Sequence, residues 1–281
     1  MEQFDDQPDD GLATPKIGIW GLEKYRLISC YASMFSKTMT KKWDCIVYLD
    51  LFAGAGRAKI KENHKIINSS SLIVLGHENK FSSYIFNDGS PDNCEALEKR
   101  IKAIFPNSEA HVFCEDTNRG IEKILSKIPR AHKGFRVLTF CLVDIFKMDN
   151  LKFSTLSALS KRYMDFLVLI PSDMDANRNE RNYLNPDNTT VDEFLGNANW
   201  RERWASGEKD PRSFGQFIVD EFGRSMGELG FIVPKLDKTV GIKNSKNRVI
   251  YRLALYSKSK LAEKFWDECV KYTNPQTGFE F

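Results

Sequence analysis

Apolar residues along the chain fall into two kinds of segment. Short runs rich in β-branched and aromatic residues lie at Ile46–Leu49, Ser83–Phe86, His111–Cys114, Phe135–Asp144 and Asp165–Pro171. Runs of this length predict strands buried on both faces. Between them, apolar positions recur at helical spacing. Leu22, Tyr25, Ile28, Cys30, Tyr31 and Phe35 predict a helix over 21–37, and Leu97, Ile101 and Ile104 one over 92–105. Further helices are expected over 71–76, 117–128, 151–163, 213–229 and 261–272. Strand alternating with helix implies a parallel sheet with right-handed crossovers. Gly230–Pro234 and Arg248–Tyr256 predict two last strands, joined by a Lys-rich hairpin at 238–247, that close the sheet as an antiparallel pair.

Three segments break this rhythm. Residues 1–15 are polar, acidic at the start, and contain Pro8 and Pro15, which predicts a disordered tail before a domain at 16–281. Residues 59–71 carry Lys59, Lys61, His64 and Lys65, a solvated loop or, on the other reading, a nucleic-acid contact. Residues 172–211 form an insertion in which Arg201 and Arg203 stand between Trp200 and Trp204. Such residues either cap the sheet or stack on and neutralise a nucleic acid.

Composition narrows the picture only a little. The 281 residues suit one α/β domain with insertions, and the net charge of +3 neither demands nor excludes a nucleic-acid partner. Six cysteines include no Cys-x-x-Cys pair, so the chain shows no zinc or dithiol motif. No run approaches the roughly 18 apolar residues of a membrane span, and the acidic N-terminus lacks the regions of a signal peptide. A cytoplasmic protein is expected, with no membrane partner.

Candidate chemistry gathers at the ends of the strands. The first strong run ends in Asp50-Leu51-Phe52-Ala53-Gly54-Ala55-Gly56. Gly54 and Gly56 allow a sharp turn and close approach to a ligand, because neither carries a Cβ. A dinucleotide fingerprint needs a third glycine, and its position holds Lys59. Asp50 would repel a pyrophosphate but accept hydrogen bonds from an amino group. S-adenosylmethionine carries an ammonium and a sulfonium and no phosphate. Asp50, Phe52, Gly54 and Gly56 are therefore candidates for holding its methionine part. Asp88, at the end of the second strand, is a candidate bidentate acceptor for two ribose hydroxyls, or else part of an Asn-Asp-Gly-Ser-Pro turn. Asp116 is a candidate acceptor for the adenine amino group, or a helix N-cap. The fourth strand ends at Asp144. Four successive strands thus end in a carboxylate, and a parallel sheet would bring all four to one edge.

These residues carry a resemblance. The Asp50–Gly56 run is similar to the first motif of class I S-adenosylmethionine-dependent methyltransferases. With Trp20–Lys24, Tyr48–Leu49, Phe86–Asp88, the strand ending at Asp144, Asp165–Pro171 and Tyr251–Trp266, the chain resembles the bacterial three-Cys-motif partner proteins over residues 17–275. The resemblance implies a Rossmann-like class I methyltransferase fold: a mostly parallel seven-stranded sheet, helices on both faces and an inserted cap. It implies S-adenosylmethionine as cofactor and a phage-related protein carrying three cysteines as partner. In amino-methylating enzymes the fourth strand ends in an acidic or amide residue, then proline and an aromatic. The side-chain oxygen holds the target amino group and the aromatic stacks on the base. Here the run is Asp144-Ile145-Phe146, so Asp144 and Phe146 are the candidate catalytic pair and Ile145 replaces the proline. Two functions follow: a methyltransferase acting on a nucleobase amino group, or a binding and regulatory partner that kept the fold without the chemistry.

Overall fold

A computed structural model describes residues 4–206 and 213–273. Strand β1 (Lys16–Ile17) leads into helix α1 (Gly21–Met39), and the apolar run at 46–49 becomes β2 (Cys45–Asp50). A hairpin of β3 (Arg57–Ile60) and β4 (Ile66–Asn68) precedes α2 (Ser70–Leu75). Strand and helix then alternate through β5 (Ser83–Asp88), α3 (Pro91–Ile104), β6 (Ala110–Cys114) and α4 (Ile121–Lys127). The alternation continues through β7 (Val137–Asp144), α5 (Phe153–Leu159) and β8 (Met164–Ile170). Three short helices follow, α6 (Arg178–Tyr183), α7 (Thr190–Leu195) and α8 (Trp200–Ala205), then the longer α9 (Phe214–Glu228). Strands β9 (Val240–Lys243) and β10 (Val249–Tyr256) and helix α10 (Lys260–Thr273) end the described fold.

Seven strands form one sheet in the order β6-β5-β2-β7-β8-β10-β9. The five from β6 to β8 pair in parallel, and β10 runs antiparallel to both of its neighbours. The fold is thus the expected α/β one, with a mixed sheet rather than a wholly parallel one. Every residue of β2, β7 and β8 is buried. Their side chains alternate between two layers, as the pleat requires. Val47, Leu49 and Val168 face a layer that includes Leu156, Phe194, Trp200 and Phe222, from α5, α7, α8 and α9. Ile46, Tyr48 and Phe140 face Tyr31, Phe35, Leu72, Leu97 and Trp266, from α1, α2, α3 and α10. The strand order reverses at β2, which has β5 on one side and β7 on the other. A crevice outside the carboxyl ends of the strands is expected there.

The structure departs from the expected pattern in several places. Residues 4–15 are a strap rather than a disordered tail. Gln7 N–H donates to the Ile66 carbonyl (2.7 Å), and the Asp10 carboxylate pairs with Arg57 (3.0 Å) and Arg100 (2.6 Å). The Arg100 hydrogen bond holds the Asp10 carboxyl down at about 2. Residues 57–68 are not a loop: β3 pairs with β1 and β4 in a small three-stranded sheet of their own. The strand expected at 230–234 is absent; Ile232 makes one isolated bridge to Ser257, and β9 is the edge strand instead. Pro234 has no N–H to give a ladder. The helix expected over 151–163 shortens to α5, after a 3₁₀ turn at Met148–Asn150.

In the insertion, the aromatic residues pack as a cap. Trp200 is fully buried and its Nε1 donates to Asp192 (2.5 Å), while Trp204 lies against Phe214 and Phe217. Arg201 pairs with Asp192 and Arg203 with Glu221. No helix among the described residues is long and apolar enough to cross a membrane.

The strap is testable through Arg100. This side chain is buried and makes hydrogen bonds to Asp10, Ala13, Thr14 and Ala55. Arg100→Ala is expected to cost about 3 kcal/mol in urea unfolding, the scale for breaking a buried ion pair. The strap should also become an early site of limited proteolysis. An unchanged unfolding midpoint with an uncut strap would show that these bonds contribute nothing.

Candidate active site

The site begins where β2 runs out of sheet. The chain turns through Gly54 (φ +62°) and Gly56 (φ +83°), and the two glycines serve different ends. A Cβ on Gly56 would lie 2.9 Å from Leu97 Cδ1, so Gly56 is there to let the turn pack on α3. A Cβ on Gly54 would meet nothing within 4 Å. Gly54 instead borders a cavity of about 390 Å³, together with Phe52, Asp88, Asp116, Asp144 and Phe146.

Asp88, Asp116 and Asp144 therefore converge on one cavity from three strand ends, as expected. Asp88 Oδ2 accepts from Gly54 N–H (2.9 Å), and Oδ1 accepts from Ser90 N–H and Asn93 Nδ2 (both 2.9 Å). A carboxylate offers about four acceptor positions, so one is left rather than the two that ribose would need. Asp116 lines the cavity from just past the end of β6, the strand next to that of Asp88. Its Oδ1 accepts from the N–H groups of Asn118 (3.0 Å) and Arg119 (2.9 Å). It caps that turn rather than α4, which starts at Ile121.

Asp50 is not where the sequence placed it. Its carboxyl is fully buried beneath the cavity and does not line it. Oδ2 accepts from Ser70 Oγ (2.7 Å) and Oδ1 from Phe52 N–H (3.2 Å). Burial pushes its pKa up to about 7, against the opposing Ser70 hydrogen bond, and the charge of Asp144 adds to the rise. Asp50 therefore braces the turn, while Ser70, its partner, faces the cavity. Gly56 likewise supports the site without lining it.

Four contributors were not foreseen. Lys24, on α1, is buried and ion-paired with Asp144 Oδ2. Burial lowers the ammonium's pKa; the Asp144 charge more than offsets this, and the net shift is upward. Its signal was its position on the stripe that carries Leu27, Ile28 and Tyr31, where a cation needs a buried partner. Tyr25 closes the same wall of the cavity, with a hydroxyl that burial pushes up to about 12. Asn87 ties the strand ends together: its amide donates to the carbonyls of Leu51 and Glu115 (3.2 Å each) and accepts from Glu115 N–H. Thr117 Oγ1 joins it on Leu51 O (3.2 Å).

The walls are acidic on balance. Asp88, Asp116, Asp144 and Asp149 face only Lys24 and Arg57, and Arg57 is paired with Asp10. A cationic ligand is favoured there and a pyrophosphate is not. Asp144 Oδ1 is buried and has no hydrogen-bond partner among the described residues. Phe146, two residues on, is largely exposed at the cavity edge, 56% accessible.

No protein-family model matches the chain, and no curated protein sequence matches it. Among solved structures it is similar to a protein of Legionella pneumophila, at 12% identity over 89% of this chain and 93% of that one (TM-score 0.49). It is also similar to the magnesium protoporphyrin IX methyltransferase of Synechocystis with bound SAH (10% identity, 84% of this chain and 82% of that one, TM-score 0.45). A third is TYW2 of P. horikoshii in complex with MeSAdo (15% identity, 92% and 73%, TM-score 0.43).

The buried carboxyl of Asp50 makes stability depend on pH. A carboxyl whose native pKa is about 7 against an ordinary 3.8 binds its proton more tightly folded than unfolded. That contribution is full below about pH 4 and is lost as pH rises to about 7. The stability of the native protein minus that of Asp50→Asn should therefore fall across this window in urea titrations. A flat difference would show that Asp50 ionises as an ordinary carboxyl.

Proposed function

We propose that the chain is an S-adenosylmethionine-dependent methyltransferase whose acceptor is an exocyclic amino group on a planar ring, such as a nucleobase. The observation that supports this most is the convergence of Asp88, Asp116 and Asp144 on one acidic cavity beside Gly54.

The residues present fit the cofactor. Open space over Gly54 admits a ligand against the backbone. The remaining acceptor position on Asp88 suits one ribose hydroxyl, with Asn93 beside it for the second. Asp116 is exposed and accepts only through Oδ1 within the turn, which leaves Oδ2 for the adenine amino group. The net acidic lining suits a ligand carrying ammonium and sulfonium charges. When bound, the cofactor supplies an activated methyl group to a nucleophile.

The acceptor side rests on Asp144 and Phe146. Lys24 fixes one oxygen of Asp144. The other oxygen lacks a donor, which an acceptor N–H would supply. Because that oxygen is shut from solvent, the cavity wall must shift for the acceptor to reach it. A hydrogen bond from N–H to carboxylate raises electron density on the acceptor nitrogen and holds it in place. Phe146 offers an exposed ring on which a base stacks. Ile145, in the place of the usual proline, is fully buried in the core, yet Asp144 and Phe146 both still line the cavity. Proline is not needed to place them.

Isothermal titration with S-adenosylmethionine tests the first half. Micromolar binding is expected, weakened roughly tenfold or more in Asp88→Ala, the loss of one charge-assisted hydrogen bond. No binding at millimolar ligand would sink the reading. Transfer of a labelled methyl group to DNA, RNA and free nucleosides tests the second half. Asp144→Asn and Phe146→Ala should cut transfer by about a hundredfold and about tenfold while the cofactor still binds. Transfer that survives both changes would reject the assigned acceptor side.

A further inference from the structure

Two thiols meet where the Asp88 turn reaches β6. Cys94 lies buried in the first turn of α3, and its Sγ donates to the carbonyls of Asp88 (3.3 Å) and Phe113 (3.5 Å). Cys114 follows Phe113 directly, ends β6, and pairs with Asp88 across the sheet. Alternation along β6 puts Cys114 on the side of Ala110 and Val112, in the layer that α3 covers. Cys94 Sγ reaches the carbonyl of Phe113, the residue directly before Cys114, so the two cysteines are neighbours, and Cys114 is exposed. Each stands next to cavity residues along the chain. Asn93, beside Cys94, holds Asp88 Oδ1, and Asp116 is two residues past Cys114.

We propose that Cys94 and Cys114 form a reversible disulfide when met by a disulfide oxidant, and that closing it weakens ligand binding at the Asp88 side of the cavity. The second half rests on the cofactor reading above; the first does not.

The chemistry balances with oxidised glutathione as oxidant. The exposed Cys114 thiolate attacks one glutathione sulfur, forming a mixed disulfide and releasing one glutathione thiolate. Cys94 then gives its proton to solvent and attacks the Cys114 sulfur, expelling the second glutathione as thiolate. Two protein thiols lose two electrons, and one glutathione disulfide gains them. Burial, with the Cys114 contact adding to it, pushes the Cys94 thiol up to about 12. Its thiolate is scarce at neutral pH, so the second step is the slower one and quickens as pH rises. In the disulfide the Cys94 sulfur has no proton to donate. Both of its hydrogen bonds, to Asp88 O and Phe113 O, are lost, and the turn that carries Ser90 and Asn93 must readjust. A second pair of thiols, Cys30 and Cys269, serves as an internal comparison, because Cys269 is fully buried against Met34.

The test is to treat the full chain with oxidised glutathione from neutral to about pH 9, alkylate the remaining thiols, and map the peptides by mass. A glutathione adduct at Cys114 is expected first, then its replacement by a Cys94–Cys114 cross-link, faster at higher pH and reversed by dithiothreitol. Cys114→Ser should abolish both species, and Cys30→Ser neither. Oxidised protein should bind S-adenosylhomocysteine roughly tenfold more weakly than reduced protein, and Cys114→Ser should bind as reduced protein does under both conditions. A lasting adduct at Cys114 with no cross-link, or a cross-link only between Cys30 and Cys269, overturns the first half. A cross-link with unchanged affinity overturns the second. Reduced protein that binds no S-adenosylhomocysteine overturns the cofactor reading, while the cross-link still stands or falls by mass alone.

Discussion

A charge carried into a protein interior must be met by its opposite, and the carboxyl edge of this sheet is arranged around one such meeting. Lys24 and Asp144 are both buried, one on α1 and one at the end of β7, 120 residues apart. Desolvating two ions costs several kcal/mol each, and only close pairing offsets it. The pair therefore sets how α1 lies across the sheet, since sliding the helix by a turn would leave both ions alone. That placement brings Tyr25 to the cavity wall and Trp20 over the ammonium, 5.5 Å from the ring centroid. The same contact leaves Asp144 with one oxygen committed and one not. An aspartate free to rotate at a strand end would be satisfied by water on both oxygens.

Much of this architecture was legible in the chain. Apolar runs over 46–49, 135–144 and 165–171 became the central strands because residues buried on both faces need no polar alternation. The acidic strand ends were legible as well, since a carboxylate closing a parallel strand has to lie at the crevice edge. What was not legible was direction. Asp50 and Asp88 read alike, each a carboxylate after an apolar run, yet one points into the floor and the other into the opening. Ser70, twenty residues on, decides the first; Gly54 decides the second. Lys24 did not stand out as a site residue, because a single cation on a helix is usually solvated. Its partner is too remote in sequence to reveal itself.

The remaining misses share that cause. The strap was taken for disorder because its own composition cannot fold it; its order comes from Arg57 and Arg100, 47 and 90 residues away. The edge strand was misplaced because Gly230–Pro234 is more apolar than Val240–Lys243, although an edge strand needs pairing on one side only. Of the two readings of the insertion, the arginines and tryptophans support the cap. Their charges and rings are occupied by Asp192, Glu221, Phe214 and Phe217.

The strap also orders events in time. Residues 4–15 are synthesised well before Arg57 and before the helix that carries Arg100, so the emerging chain offers Asp10 nothing to grip. Closing a loop of that length costs entropy that only the finished α3 surface returns. A segment made before its partners is thus among the last to find its seat, and with it Pro15 takes its place in the cavity wall beside Arg57. Until then Arg57 is the only one of its two arginine partners that Asp10 can meet, and a nascent chain paused before α3 would hold the strap by that pair alone.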